Sequence, residues 1–290
     1  MTTPLAETDA RALASGKGHR DENFPVASFV LKPEHRAPVM DFYRFARLAD
    51  DIADDPTSPP ATKLALLAQM RAGIDGTSQA NPEATQLAQT MAQRGLDPAH
   101  ARDLLSAFKR DARGDPTPTW DALMDYCRYS AMPVGRYVLD VHGEARTTWP
   151  ANDALCAALQ IINHLQDCAK DYRAIRRVYL PADMLAAHGS SEQDLDHAAA
   201  TPGLRAVIHD LALRVQGLLA ESKEFSGMIR DARLAMEVAI IHGLAADLAA
   251  RLVARDPLAE RVHHTKFEAA GLALRAGAGQ WWNRLRSRAR

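Results

Sequence analysis

Apolar residues recur three and four positions apart along nearly the whole chain, and the β-branched alternation that marks strands is scarce. Ala, Leu, Arg, Gln and Met, all strong helix formers, are frequent. The pattern predicts an all-α fold. Clusters of Gly, Pro, Ser and Asn at 54–62, 77–85, 113–120, 142–153, 188–194 and 201–203 should interrupt it, leaving about eight helices. No period of 20 to 50 residues repeats and no shift in composition divides the chain, which disfavours a solenoid. The expectation is a single-domain helical bundle over residues 21–274, preceded by a polar segment (1–20) and followed by a basic tail (275–290).

Of the 290 residues, 47% are hydrophobic and 24% charged, with only 16 Gly and 16 Pro, so a sizeable core is available and disorder is excluded. The 35 Lys and Arg nearly balance 36 Asp and Glu, a formal charge of −1, which argues against a dedicated nucleic-acid binder. Cys127, Cys156 and Cys168 are odd in number and lack C-x-x-C spacing, so neither a disulfide framework nor a zinc site is expected. The N-terminal stretch has no basic start followed by an apolar run. The apolar stretch 233–254 is interrupted by Glu237, His242 and Asp247, whereas a membrane span needs about 20 largely apolar residues. A cytoplasmic protein, soluble or peripheral, is expected. His242, His263 and His264 lie in no metal motif, and Gly277 and Gly279 lack the third glycine of a nucleotide fingerprint. No nicotinamide is expected.

The chemistry lies in two carboxylate stripes. Helical spacing puts Tyr43, Arg47, Asp50 and Asp54 on one face. Like charges four apart cost about 0.2–0.5 kcal/mol, more when buried. Either Arg47 or a divalent cation could offset them, unless the face is simply solvated. The second stripe is Gln160, Asn163, Asp167 and Asp171, within about 80° of one helix face. Its neighbours Leu155, Ala157, Ala158, Leu159, Ile161, Ile162 and Leu165 are apolar, so one polar line runs along an otherwise buried helix. Two D-x-x-x-D pairs on long helices can hold Mg²⁺, which takes carboxylate and phosphate oxygens together. The implied ligand is a diphosphate. Downstream, Arg176, Arg177 and Tyr179 precede the helix-breaking Pro181; the cations suit phosphate or merely a helix dipole.

These residues resemble the squalene and phytoene synthase family of all-helical isoprenoid synthases, over most of the chain from about Asn23 to beyond Pro181. Three blocks carry the resemblance. Phe24, Leu31, Pro33 and Arg36 lead into Tyr43, Arg47, Asp50 and Asp54. Tyr126-Cys127, Ala131, Val134 and Gly135 match a Y-C-x-x-x-A-x-x-V-G helix, and Gln160, Asn163, Asp167 and Asp171 lead into Arg177, Tyr179, Leu180 and Pro181. The resemblance implies Asp50, Asp54, Asp167 and Asp171 as Mg²⁺ and diphosphate ligands. Arg36, Arg47, Gln160, Asn163 and Arg177 would bind substrate or its diphosphate. It further implies ionisation of an allylic or cyclopropylcarbinyl diphosphate within a central apolar cavity that shelters the carbocation. Phe24, Tyr43, Tyr126, Tyr129 and Tyr179 would face that cation or be ordinary core aromatics. Ala131, Val134 and Gly135 would leave room for a prenyl chain, or serve close helix packing.

The departures are informative. Condensing members usually read N-x-x-R-D-x-x-E-D, whereas Gln166 and Lys170 stand here at the Arg and Glu positions. Joining two prenyl diphosphates requires neutralising two diphosphates; ionising one preformed cyclopropyl intermediate requires only one, which suits a weakened cluster. Asn23 stands where condensing members carry Ser or Thr before the Phe, and Pro133 puts a proline in the middle helix. Asp21-Glu22-Asn23-Phe24-Pro25-Val26-Ala27-Ser28 and Ala49-Asp50-Asp51-Ile52-Ala53-Asp54 resemble the bacterial hydroxysqualene synthase branch, associated with hopanoid biosynthesis. Presqualene diphosphate would then become hydroxysqualene, with other enzymes of that pathway as neighbours. The alternatives are a presqualene diphosphate or phytoene synthase and, from another class, a non-catalytic helical scaffold. Finally, the run 275–290 carries five arginines, Trp281, Trp282 and no acid, which suits peripheral contact with a membrane surface. It could equally be a frayed tail, because Gly277 and Gly279 weaken any helix.

Overall fold

A computed structural model of the chain describes residues 32–288, with side chains through Trp282. Phe24 and the segment 1–20 therefore lie outside the described residues. The order is α1 (Pro33–Asp54), α2 (Pro60–Ile74), α3 (Pro82–Arg94), α4 (Ala99–Arg113), α5 (Trp120–Ser130), α6 (Met132–Val141), α7 (Trp149–Ile175), α8 (Ala182–Ala187), α9 (Pro202–Glu221), α10 (Phe225–Met228), α11 (Ala232–Ala254) and α12 (Lys266–Arg288). No strand occurs among the described residues. Caps explain several of the boundaries. Asn81, Thr119, Thr201 and Asp231 accept hydrogen bonds from backbone N–H groups of the first turns of α3, α5, α9 and α11. Gly95 and Gly114 end α3 and α4 with φ of 65° and 71°.

Among the described residues twelve α-helices replace the expected eight because some breaks carry little punctuation. The clearest is Ala131, where φ −121° and ψ −47° separate α5 from α6. Pro133 thereby falls in the first turn of a new helix, where its missing N–H leaves no bond unmade. The opposite error occurs in α12, which runs unbroken through Gly277 and Gly279.

The chain groups into two compact units, Glu34–Asp115 and, with Lys32 and Pro33, the residues from Pro116 onward. In the first, α2 packs on α3 and α4. A Cβ on Gly73 would come within 2.6 Å of the Ala84 Cβ, so this glycine sets the closeness of α2 and α3. Phe42, Phe45, Leu48 and Ile52 of α1, Leu67 and Met70 of α2, Leu87 of α3 and Leu104 and Leu105 of α4 are buried. Buried Asp41 ties α1 to α3 by accepting from the Thr90 hydroxyl at 2.7 Å. Lys63 on α2 donates to the Ala53 carbonyl at 2.9 Å, closing the end of α1.

In the second unit, the 27-residue α7 packs against α5, α6, α9 and α11, and α11 also packs on α9 and α12. Ile161, Ile162, Val207, Ile208, Leu211, Leu248 and Leu252 are buried among them. Buried Glu144 accepts from the backbone N–H groups of Arg230 and Asp231 at 3.0 and 2.8 Å, holding the start of α11. Lys32 reaches the Asp231 cap at 2.8 Å. All three cysteines are free, and burial pushes each thiol up to about 12.

Candidate active site

Arg36, Tyr43, Arg47, Asp50 and Asp54 form one half-buried line along α1. Arg47 divides its guanidinium between Asp50, at 3.1 Å, and the buried Asp51, at 2.8 Å. A single cation thus serves two carboxylates while Asp54 and, on α4, Asp111 act on Asp50 as like charges. Asp50 keeps 35% of its side-chain surface accessible, yet it is surrounded by protein atoms. That desolvation, reinforced by Asp54 and only partly countered by Arg47, pushes its carboxyl up to about 8. A carboxyl that resists ionisation among other acids, as Asp50 does, fits a divalent cation, which would restore its charged form.

On α7, Gln160, Asn163, Asp167 and Asp171 are half-buried and make the polar line anticipated from their spacing. The two departures have distinct fates. Gln166 is buried and donates to the Val262 carbonyl, so it fastens α7 to the segment before α12. Lys170 is exposed and pairs with Asp167 at 3.1 Å. The position occupied by an acid in condensing enzymes therefore neutralises a carboxylate here. Among the described residues no three His, Cys, Asp or Glu side chains form a group able to hold a metal. Either carboxylate pair would need oxygens from a phosphate ligand to complete a shell, as Mg²⁺ commonly does.

An aromatic cluster adjoins this line. The Tyr126 and Tyr179 hydroxyls are 3.2 Å apart, and the Tyr179 ring stacks on His164 with centroids 3.6 Å apart. Gln160 Nε2 lies 3.2 Å from His164 Nε2, so the ring nitrogen accepts from the amide. Burial first, and then the positive charge of Arg177, push His164 down to about 3, so its ring is neutral at physiological pH. The chain reaches this cluster through a strained corner. Arg176 ends α7 at φ 53°, in the left-handed region, which costs a non-glycine residue about 1–2 kcal/mol. Its guanidinium covers the Tyr172 ring at 4.7 Å and faces Asp196 at 3.5 Å, leaving Arg177 and Tyr179 to follow the turn.

The middle block divides by role. Gly135 is a packing residue, since a Cβ there would overlap Asn152 Oδ1 and lie 2.6 Å from Cys156 Sγ on α7. Ala131 is buried, Tyr129 half-buried, and Val134 is 39% exposed. Sequence reasoning missed Asp51, His164 and Asp111. Asp51 was legible as the residue four after Arg47, and His164 as four after Gln160. Asp111 meets α1 only through the fold, and no local signal marks it.

Two helices with D-x-x-x-D pairs, in a chain whose described residues are helical and hold no strand, define an isoprenoid-synthase fold. A crystal structure of squalene synthase HpnC from Alicyclobacillus acidocaldarius matches with a TM-score of 0.70 and 31% identity, covering 84% of this chain and 91% of that one. The chain belongs to the squalene/phytoene synthase family, whose model matches residues 18–268. It is similar to the hydroxysqualene synthase of Zymomonas mobilis, at 53% identity over 94% of this chain and 92% of that one. The hydroxysqualene synthase of Rhodopseudomonas palustris is 50% identical over 90% and 89%. By contrast, the presqualene diphosphate synthase of Zymomonas mobilis is 29% identical over 75% of this chain and 76% of that one.

Proposed function

We propose that this protein is a carbon–oxygen lyase that converts presqualene diphosphate and water into hydroxysqualene and diphosphate. The observation that carries the reading is the contrast between two proteins of one organism, Zymomonas mobilis. The hydroxysqualene synthase shares 53% of aligned residues with this chain and the presqualene diphosphate synthase 29%. Lys170 pairing with Asp167 supports it, because one diphosphate needs less carboxylate-bound metal than two. In this reading residues 21–274 act as one isoprenoid synthase domain with a central apolar cavity.

Asp50 and Asp54, and Asp167 and Asp171, are assigned as Mg²⁺ ligands, with Arg36, Arg47, Gln160, Asn163 and Arg177 oriented toward the substrate or its diphosphate. Bound Mg²⁺ supplies stabilisation of the charge gathering on the departing diphosphate. The breaking carbon–oxygen bond leaves its electron pair on that diphosphate. Tyr43, Tyr126 and Tyr179, with Phe24, present π faces to the rearranging carbocation. Ala131 and Val134 line the prenyl chain. Water adds at carbon, and its proton leaves to the diphosphate or solvent. The neutral His164, stacked on Tyr179, fixes the tyrosine pair without adding positive charge beside the carbocation.

Incubation with presqualene diphosphate and Mg²⁺, followed by lipid analysis, tests the reading. Hydroxysqualene is the expected product. Formation of presqualene diphosphate from farnesyl diphosphate, with no hydroxysqualene, would replace it by the condensing activity. Absence of Mg²⁺-dependent thermal stabilisation by diphosphate analogues, together with no turnover, would leave a scaffold. A place at the cytoplasmic face of a membrane, beside other enzymes of hopanoid synthesis and in contact through residues 275–290, belongs to the same reading. No helix among the described residues is long and apolar enough to cross a membrane.

A further inference from the structure

Helix α12 is amphipathic the wrong way round for a helix packed on its own protein. The small residues Ala276 and Gly277 stand on the face it gives to α11. A Cβ on Gly277 would lie 3.0 Å from Met236 Sδ, and one on Gly243 would lie 3.3 Å from the Ala276 Cβ, so the two helices approach closely. Gln280 locks the rotation. It is buried and exchanges hydrogen bonds with Ser226, donating to its carbonyl at 3.0 Å and accepting from its hydroxyl at 3.2 Å.

With the rotation set, Phe267, Leu274 and Trp281 follow one another at intervals of seven on the opposite side, close to a single line. They are 90%, 76% and 59% exposed, and neighbouring Trp282 is 53% exposed. These are the four most exposed large apolar side chains among the described residues. A helix whose only destination were this protein would bury them. The charge says what covers them. Glu268 is the last acid of the chain, and residues 269–290 hold five arginines. A second copy would bring another such basic segment against the first, whereas an anionic lipid surface complements both the charge and the apolar line.

We infer that α12 docks on anionic phospholipid, with Phe267 and Leu274 entering the acyl boundary, Trp281 and Trp282 at headgroup depth, and the basic excess of the segment matched by the lipid charge. This rests on the membrane contact in the proposed reading and deepens it. The surface begins at Phe267, upstream of the basic tail, and its lipid is specified by charge.

The experiment uses the full chain with vesicles of phosphatidylcholine alone and of phosphatidylcholine mixed with phosphatidylglycerol. Wild type should sediment with the anionic vesicles, less so in high salt, and its tryptophan emission should shift to the blue, since two of the four tryptophans lie in α12. The combined Phe267→Ser, Leu274→Ser, Trp281→Ser and Trp282→Ser variant should bind at least tenfold more weakly with unchanged helical circular dichroism. Trp281→Phe with Trp282→Phe should keep binding and lose the blue shift. Equal binding of wild type and the serine variant, no binding of wild type, or a dimer that the serine substitutions dissociate would each overturn the inference. Turnover of both proteins in detergent is measured alongside. Loss of vesicle binding with detergent turnover intact supports the docking helix, whereas vesicle binding without turnover in either protein upholds the docking and sinks only the enzymatic reading.

Discussion

The two carboxylate pairs have the same D-x-x-x-D spacing and opposite electrostatic surroundings. On α1, Arg47 is shared between Asp50 and Asp51, and burial, reinforced by the charge of Asp54, pushes Asp50 up to about 8. On α7, Asp167 has its own exposed cation, Lys170, one turn away. A motif read as letters would call the pairs equivalent. Their neighbours leave the α1 pair beside an arginine that is shared with Asp51 and the α7 pair beside a lysine one turn from Asp167. Asp231 supplies a reference for an ordinary structural carboxylate. It caps α11, accepts two backbone N–H groups and pairs with Lys32. Although burial opposes it, those partners hold it down to about 2.

This contrast can be broken by substitution. The largest effect is expected for Asp54→Asn and Asp171→Asn. Each should lower kcat with presqualene diphosphate by about 10³-fold or more, the scale of removing a central electrostatic contact, with circular dichroism unchanged. Near-normal rates would remove these residues from the metal-binding role. Next comes Asp231→Ala, which should destabilise the fold by about 1 kcal/mol through loss of the cap. Because the Asp231 pKa is depressed on folding, its contribution in wild type is present above the ordinary value of 3.8 and is lost as pH falls through about 2. Denaturation of wild type and variant should therefore converge on the acid side of that window.

A smaller effect separates the two pairs directly. In metal-free buffer at alkaline pH, Asp50→Asn should raise the thermal midpoint, because an ionised carboxylate beside Asp54 is relieved. Asp167→Asn should not, since it strands Lys170. Equal shifts in both would erase the distinction. Smallest of all, Lys170→Gln should change stability by less than about 0.5 kcal/mol, as exposed pairs do, while measurably tightening divalent-cation binding by calorimetry. Unaltered cation affinity would show that Lys170 does not temper the α7 pair.

Much of this was readable in advance, for physical reasons. Helical period governs which residues share a face, so the lines of α1 and α7 followed from spacing alone. The resemblance to isoprenoid synthases rested on the same residues and agrees with the family and the all-helical fold. What spacing could not convey was the partner of each group. Gln166, which stands where condensing members carry a cation, fastens α7 to the Val262 carbonyl, and Gly135, for which spacing left both room for a prenyl chain and close helix packing open, lies against α7. The break at Ala131 had only the proline two residues later to announce it. In α12, two glycines argued against a helix until Met236 supplied the surface on which one of them packs.

The three cysteines carry a practical consequence. With every thiol held near 12 by burial, almost no thiolate exists in the native protein at neutral pH. Alkylating reagents should leave the folded chain alone and modify it only when α5 or α7 opens. The rate of labelling then reports native-state opening at Cys127, Cys156 and Cys168 without any engineered probe.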